Sequence, residues 1–202
     1  KSYPVLTLTG PRQSGKTTLV KATFPRHHYA TLEDPDQRLF ATEDPRGFLG
    51  QFRGPVILDE VQRVPDLFSY IQGIVDREDR PGRFVLTGSQ NFLLLHRISQ
   101  SLAGRCAGLH LLPFSWAELK HTPFREITRF LQPRRSAKPV SSETKPDLFE
   151  ALFTGGYPRI HDKRLPPQSW LANYYQTYLA RDVRDLLSVG DIEGFGRFLR
   201  LC

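Results

Sequence analysis

A chain of 202 residues can bury a real core in one large domain or in one and a half. With 39% apolar and 24% charged residues it has the make-up of an ordinary globular protein, and no apolar run reaches the roughly 18 to 20 residues of a membrane helix, so a soluble, cytoplasmic protein with no membrane partner is expected. The net charge of +7 suits a polyanionic partner, while two cysteines, Cys106 and Cys202, exclude a disulfide framework or a cysteine-built metal site and are expected as free thiols.

The chain opens without methionine on "KSYPVLTL"; "YPVLTLTG" is a β-rich run ending in glycine, and "KTTLVKATF" after it suits a helix. A second strand is expected around "HYATLED", then two short helices, "PDQRLFATED" and "PRGFLGQF", each opened by an Asp-Pro pair that fits an N-cap followed by proline in the first turn. "GPVILDEVQ" has the continuous apolar pattern of a strand buried on both faces. Helical spacing of Leu67, Ile71, Ile74 and Val75 marks "VPDLFSYIQGIVDRE", and "GRFVLTGSQ" repeats the buried-strand pattern. "NFLLLHRISQSL" reads as a helix and "AGLHLLPFS" as a further strand. Alternating strands and helices predict an α/β fold, a mainly parallel sheet with helices on both faces.

From about Lys120 the pattern dissolves into proline, serine and basic residues. This basic stretch, 121–145, is expected as a linker or insertion, with a nucleic-acid contact as the alternative use of its charge. Beyond it, over 146–190, the periodicity is helical: Trp170, Leu171, Tyr174, Tyr175, Tyr178, Leu179, Val183, Leu186 and Leu187 form one stripe, with Arg181, Asp182, Arg184 and Asp185 largely off it. Both ends of the chain look cut, so a piece of a longer protein is expected, with 191–202 as the start of a further domain.

Four stretches carry chemistry. Gly10 to Thr17, "GPRQSGKT", fits the phosphate-loop pattern GxxxxGK[ST] between a strand and a helix, where glycines let successive N–H groups wrap a phosphate and the helix dipole adds to the attraction. Pro11, Arg12, Gln13, Ser14, Gly15 and Thr18 complete the cradle; Lys16 would reach the β and γ phosphates and Thr17 would ligate Mg²⁺. In "VILDE", Asp59 ends a buried strand where it can hold the same ion, and Glu60 can polarise an attacking water. "VLTGSQN" is expected to end beside the γ phosphate, with the phosphate loop's strand at one edge of the sheet; Ser89, or less favourably Thr87 or Asn91, then bonds the water or the phosphate. In "SLAGRC", Arg105 is placed either to serve a neighbouring subunit's γ phosphate as an arginine finger or to stabilise a helix C-terminus.

Together with "GGYP" and "YYQTYLARDVRDL", these stretches resemble the AAA+ superfamily of P-loop ATPases, and more narrowly the prokaryotic AAA-domain, STAND-related members that carry a C-terminal domain of unknown function. The resemblance implies an ATPase core over 1–120, a helical lid over 146–190, and ATP with Mg²⁺ as ligands. It implies hydrolysis through Asp59 and Glu60, with Ser89 as sensor and Arg105 as finger, the finger requiring a homo-oligomer. "GGYP" is similar to a motif that approaches adenine, which makes Tyr157 and Pro158 base contacts, against the simpler reading of a helix terminator; Arg159 could then touch phosphate. The effector moved by the nucleotide would lie in a C-terminal domain of the same chain. The alternative is a nucleotide-dependent switch or DNA-binding regulator with negligible turnover.

Overall fold

The computed structural model describes residues 3–78, 80–89, 100–121, 148–178 and 197, and the chain divides into two compact units, Lys1–Leu112 and Pro113–Cys202. In the first unit β1 (Val5–Gly10), β2 (His28–Thr31), β3 (Val56–Asp59), β4 (Phe84–Ser89) and β5 (Cys106–His110) form one sheet in the order β2-β3-β4-β1-β5, with every ladder parallel. The α/β reading therefore holds. One detail of it does not: β1 sits between β4 and β5, so the strand that feeds the phosphate loop is interior and β5 takes the edge.

Strand alternation sends successive side chains to opposite faces. Val5, Val56, Leu58, Phe84 and Leu86 pack on one face with α2 (Pro35–Glu43), α3 (Pro45–Gly50) and α4 (Leu67–Glu78), which contribute Ala41, Phe48, Leu49, Phe68 and Ile71. Leu8, Ile57 and Val85 point the other way, onto Val20 of α1 (Lys16–Thr23). A strand with core on both sides has no polar face, which is why β3 is buried along its whole length.

Local signals set the helix ends. The Asp34 side chain accepts from the N–H groups of Asp36 and Gln37, Asp44 accepts from Gly47, and a proline follows each aspartate, as the Asp-Pro pairs predict. The helix expected from Val64 begins at Leu67; Pro65 holds Val64 extended, at φ −133 and ψ 77, and a 3-10 turn over Val61–Arg63 fills the gap after β3. The last strand is shorter than expected as well, because Ser115 caps α5 (Trp116–Leu119) through a capping box with Glu118.

In the second unit α6 (Leu148–Thr154), α7 (Pro158–Lys163) and α8 (Pro167–Tyr178) are the described helices beyond α5. Trp170, Leu171, Tyr174 and Tyr175 are partly covered while Ala172, Asn173, Gln176 and Thr177 are exposed, which is the stripe read from the sequence. The rest of that stripe, most of the helix expected over 91–102, and almost all of 121–145 and 191–202 lie outside the described residues, as does Cys202; Cys106 is a free thiol. No helix among the described residues is long and apolar enough to cross a membrane.

Phe68 is 1% exposed in the larger core cluster. Phe68→Ala is expected to cost about 3–5 kcal/mol in urea unfolding, whereas Asn173→Ala, on an exposed helix face, stays within about 0.5 kcal/mol.

Candidate functional site

β1 leaves the sheet at Gly10, whose φ of +150 comes with a backbone approach so close that a Cβ there would lie 2.1 Å from the Leu111 carbonyl oxygen. Only glycine fits. Gln13 and Gly15 follow at φ 60 and 95, so the loop turns through left-handed conformations that gather its N–H groups to one side. Gly15 is the N-cap of α1 and supplies no side-chain cap, which leaves the helix's first N–H groups to the concavity of the loop. Ser14 is 4% exposed, and its Oγ is buried without a hydrogen-bond partner. Lys16, 5% exposed, donates from Nζ to the carbonyls of Gly10 (3.0 Å) and Pro11 (2.7 Å). Pro11 and Arg12 are half-buried, and Gln13 and Thr18 are exposed.

Parallel register brings Asp59 and Ser89 to the same end of the sheet. Asp59 is level with Thr31 of β2, and Ser89 is level with Gly10. The Asp59 carboxylate, 5% exposed, accepts from Thr17 Oγ1 at 2.9 Å, from the Tyr29 hydroxyl at 2.9 Å and from Thr87 Oγ1 in a short bond. Thr87 thus serves Asp59, and the position level with the phosphate loop belongs to Ser89; Asn91 lies outside the described residues. Burial and the facing Asp59 charge together push the Tyr29 phenol up to about 12, and the Lys21 ammonium sits 3.4 Å over its ring.

Glu60 follows β3 in the left-handed region, at φ 56 and ψ 42, a conformation uncommon for a residue with a side chain and concentrated at functional turns. Its Oε2 accepts from Gln62 Nε2 at 2.5 Å, and the same nitrogen donates to Ser89 Oγ at 3.1 Å. Gln62 therefore joins the two residues that the sequence placed at the γ phosphate, and its Oε1 is buried with no partner. Sequence reasoning gave Gln62 and Tyr29 no role. "DEVQ" shows an amide two residues after the glutamate, but only the 3-10 turn over Val61–Arg63 folds it back.

Arg105 lies elsewhere. Cys106 pairs with Val5, so Arg105 stands at the amino end of β5, about 20 Å of strand from Gly10. Its guanidinium makes a two-pronged pair with Asp76, which raises its pKa. In the second unit, Gly155 takes φ +67 and closes α6, its N–H donating to the Ala151 carbonyl at 3.0 Å. A Cβ on Gly156 would lie 2.1 Å from the Phe114 carbonyl oxygen, so both glycines are accounted for by chain geometry. Tyr157 caps α7, with Pro158 in its first turn, and its ring centroid lies 5.1 Å from that of Trp170 and 4.9 Å from that of Tyr174; Arg159 follows Pro158 in the helix.

Residues 2–120 match the AAA-domain family, and residues 145–202 match a domain of unknown function. The chain belongs to the AAA-domain family and is a P-loop ATPase module. Over 187 residues it is 42% identical to uncharacterised proteins of Mycobacterium tuberculosis and Mycobacterium bovis, a match covering 91% of this chain and 37% of each relative. The chain thus spans 37% of the length of these curated relatives. Among solved structures it is similar to the Walker-type ATPase of Pyrococcus abyssi, at 18% identity and a TM-score of 0.38 over 61% of this chain and 55% of that one. It is also similar to PCH-2 of C. elegans, at 14% identity and a TM-score of 0.34 over 55% and 36%.

The Tyr29 phenol gives the site a pH signature. Its folded-state value lies above that of the unfolded chain, so its contribution to stability is whole below about pH 10 and is lost as the pH rises towards about 12. Absorbance titration at 295 nm is expected to show a late-ionising phenol that Tyr29→Phe removes.

Proposed function

We propose that the module binds ATP with Mg²⁺ and hydrolyses it to ADP and phosphate, and that the step drives a conformational change in a C-terminal domain of the same protein. The observation that carries this reading is the 2.9 Å bond from Thr17 to Asp59, which joins the end of the phosphate loop to the acidic end of β3, with Glu60 and Ser89 alongside. The donor set fits a hard cation: a threonine hydroxyl and one buried carboxylate, with no cluster of three or more metal-binding side chains among the described residues. This is how Mg²⁺ is held when the substrate's phosphates complete its shell. Thr17 and Asp59 would hold the ion, which when bound neutralises charge on the β and γ phosphates.

The phosphates would lie against the N–H groups of the loop and of the first turn of α1, where the partnerless Ser14 hydroxyl finds an acceptor. Lys16, already held within the loop by the Gly10 and Pro11 carbonyls, turns its charge to the β and γ phosphates. Glu60 orients and deprotonates the attacking water, Ser89 bonds the water or the γ phosphate, and Gln62 holds Glu60 in place. Tyr157 and Pro158 would be the adenine contacts. Arg105 would act on a neighbouring subunit's γ phosphate, which requires its release from Asp76 and a homo-oligomer.

The bond from Gln62 to Glu60 favours a second reading, a nucleotide-held switch in which the glutamate stays tied and turnover is negligible. Glu60→Gln separates the two. Under the first reading phosphate release falls by roughly 10²-fold or more while ATP stays bound; an unchanged rate favours the switch. Mixing Arg105→Ala protein with Glu60→Gln protein is expected to restore part of the ATPase activity, and no recovery at any ratio removes the finger in trans.

A further inference from the structure

The carboxyl ends of the strands carry the nucleotide chemistry, but the first unit has a second concave site at the opposite end. A cleft of about 890 Å³ opens between α3, α4 and the turns that lead into β3 and β4. Val56 and Phe84 begin those two strands, so the cleft is separated from Asp59 and Ser89 by the length of the sheet.

Its lining is strongly basic. Arg46, Arg53, Arg77 and Arg80 border it, all exposed, and none of the four forms an ion pair among the described residues. A fifth arginine, Arg83, is 8% exposed and structural: it donates to the carbonyls of Phe52 (2.8 Å) and Gly54 and pairs with Glu78 at 3.2 Å. Among the described lining residues Glu78 is the acid, and it is engaged by Arg83, which pins the loop before β3 to form the floor.

That floor is apolar and partly aromatic, with half-buried Phe52 and Tyr70 beside Ile74 and Leu49. Tyr70, Gly73, Ile74 and Arg77 recur at helical spacing, so one face of α4 supplies a ring, an open position and a cation in succession. Gly50 and Gly73 are both open: a Cβ on either would meet nothing within 4 Å, and neither has a positive φ. They leave the cleft clear where their own backbone geometry does not call for glycine.

We propose that this cleft binds single-stranded nucleic acid, with backbone phosphates on Arg46, Arg53, Arg77 and Arg80 and a base against Tyr70. The guanidinium fork matches phosphate oxygens two at a time, and these four cations are all arginine. An aromatic face among phosphate-binding cations is the arrangement that sequence-tolerant single-strand binding uses. A cleft of this volume takes a short single-stranded stretch. The site is independent of the basic stretch over 121–145 and does not rest on the ATPase reading.

The test is fluorescence anisotropy of a labelled oligo-dT with the 202-residue chain, without nucleotide, across a salt series. Binding is expected, with Arg77→Glu weakening it about tenfold or more and flattening the slope of log K against log salt by about 0.7 or more. Gly73→Glu puts a carboxylate into the open cleft without disturbing the core and is expected to weaken binding similarly while leaving ATP turnover unchanged. Lys163→Glu, in the other unit, controls for net charge and should bind as the parent does. Equal losses in Lys163→Glu and Gly73→Glu would overturn the proposal in favour of diffuse attraction, as would unchanged binding in Gly73→Glu. Binding of tripolyphosphate or of polyglutamate that Gly73→Glu abolishes, with no binding of oligo-dT, would also overturn it.

Discussion

A buried carboxylate is costly unless hydrogen bonds replace its lost hydration, and the candidate nucleotide site is organised around how that demand is met at Asp59. Its two oxygens accept three hydroxyls, from Thr17 at the start of α1, Tyr29 on β2 and Thr87 on β4. Three segments far apart in the chain therefore converge on one charge. The same contacts bring the phosphate loop to the end of β3, and through β3 to Glu60. Removing the Asp59 charge would leave three hydroxyls without their acceptor, so the residue holds this end of the sheet together.

The parallel sheet gives the molecule two unlike ends. At the carboxyl ends the chain turns through Gly10, Glu60 and Ser89, the first two with positive φ, and acceptors and N–H groups accumulate there. At the amino ends, arginines from α3, α4 and the turns into β3 and β4 collect around one cleft, with Arg83 taken inside to hold those turns together. This division follows from parallel ladders, which place all strand starts on one side and all strand ends on the other. An ATPase centre and a polyanion cleft can coexist on such a sheet without competing for the same cations.

Much of this was legible in the sequence because it is local. The phosphate loop is a run of eight residues, the Asp-Pro pairs cap their own helices, and the apolar run of β3 declares a strand with core on both faces. The contacts of Gln62 and Tyr29 were not legible. Gln62 reaches Ser89 across 27 residues only because β4 lies beside β3, and Tyr29 reaches Asp59 only because His28 pairs with Val56. The sequence drew attention to the basic stretch from Lys120, yet Arg46, Arg53, Arg77 and Arg80, dispersed over 35 positions, meet around one cleft.

The sequence by itself determined that a phosphate loop follows a strand, that an acidic pair ends another, and that helices and strands alternate into an α/β core, because each rests on residues adjacent in the chain or spaced by one helical or strand period. Only the tertiary structure decided which hydroxyls share Asp59, that Gln62 couples Glu60 to Ser89, that β1 lies inside the sheet, and that Arg105 stands at the opposite end from the loop. Those outcomes depend on strand order and register. These emerge from packing two faces of the sheet at once, so no single stretch of sequence encodes them.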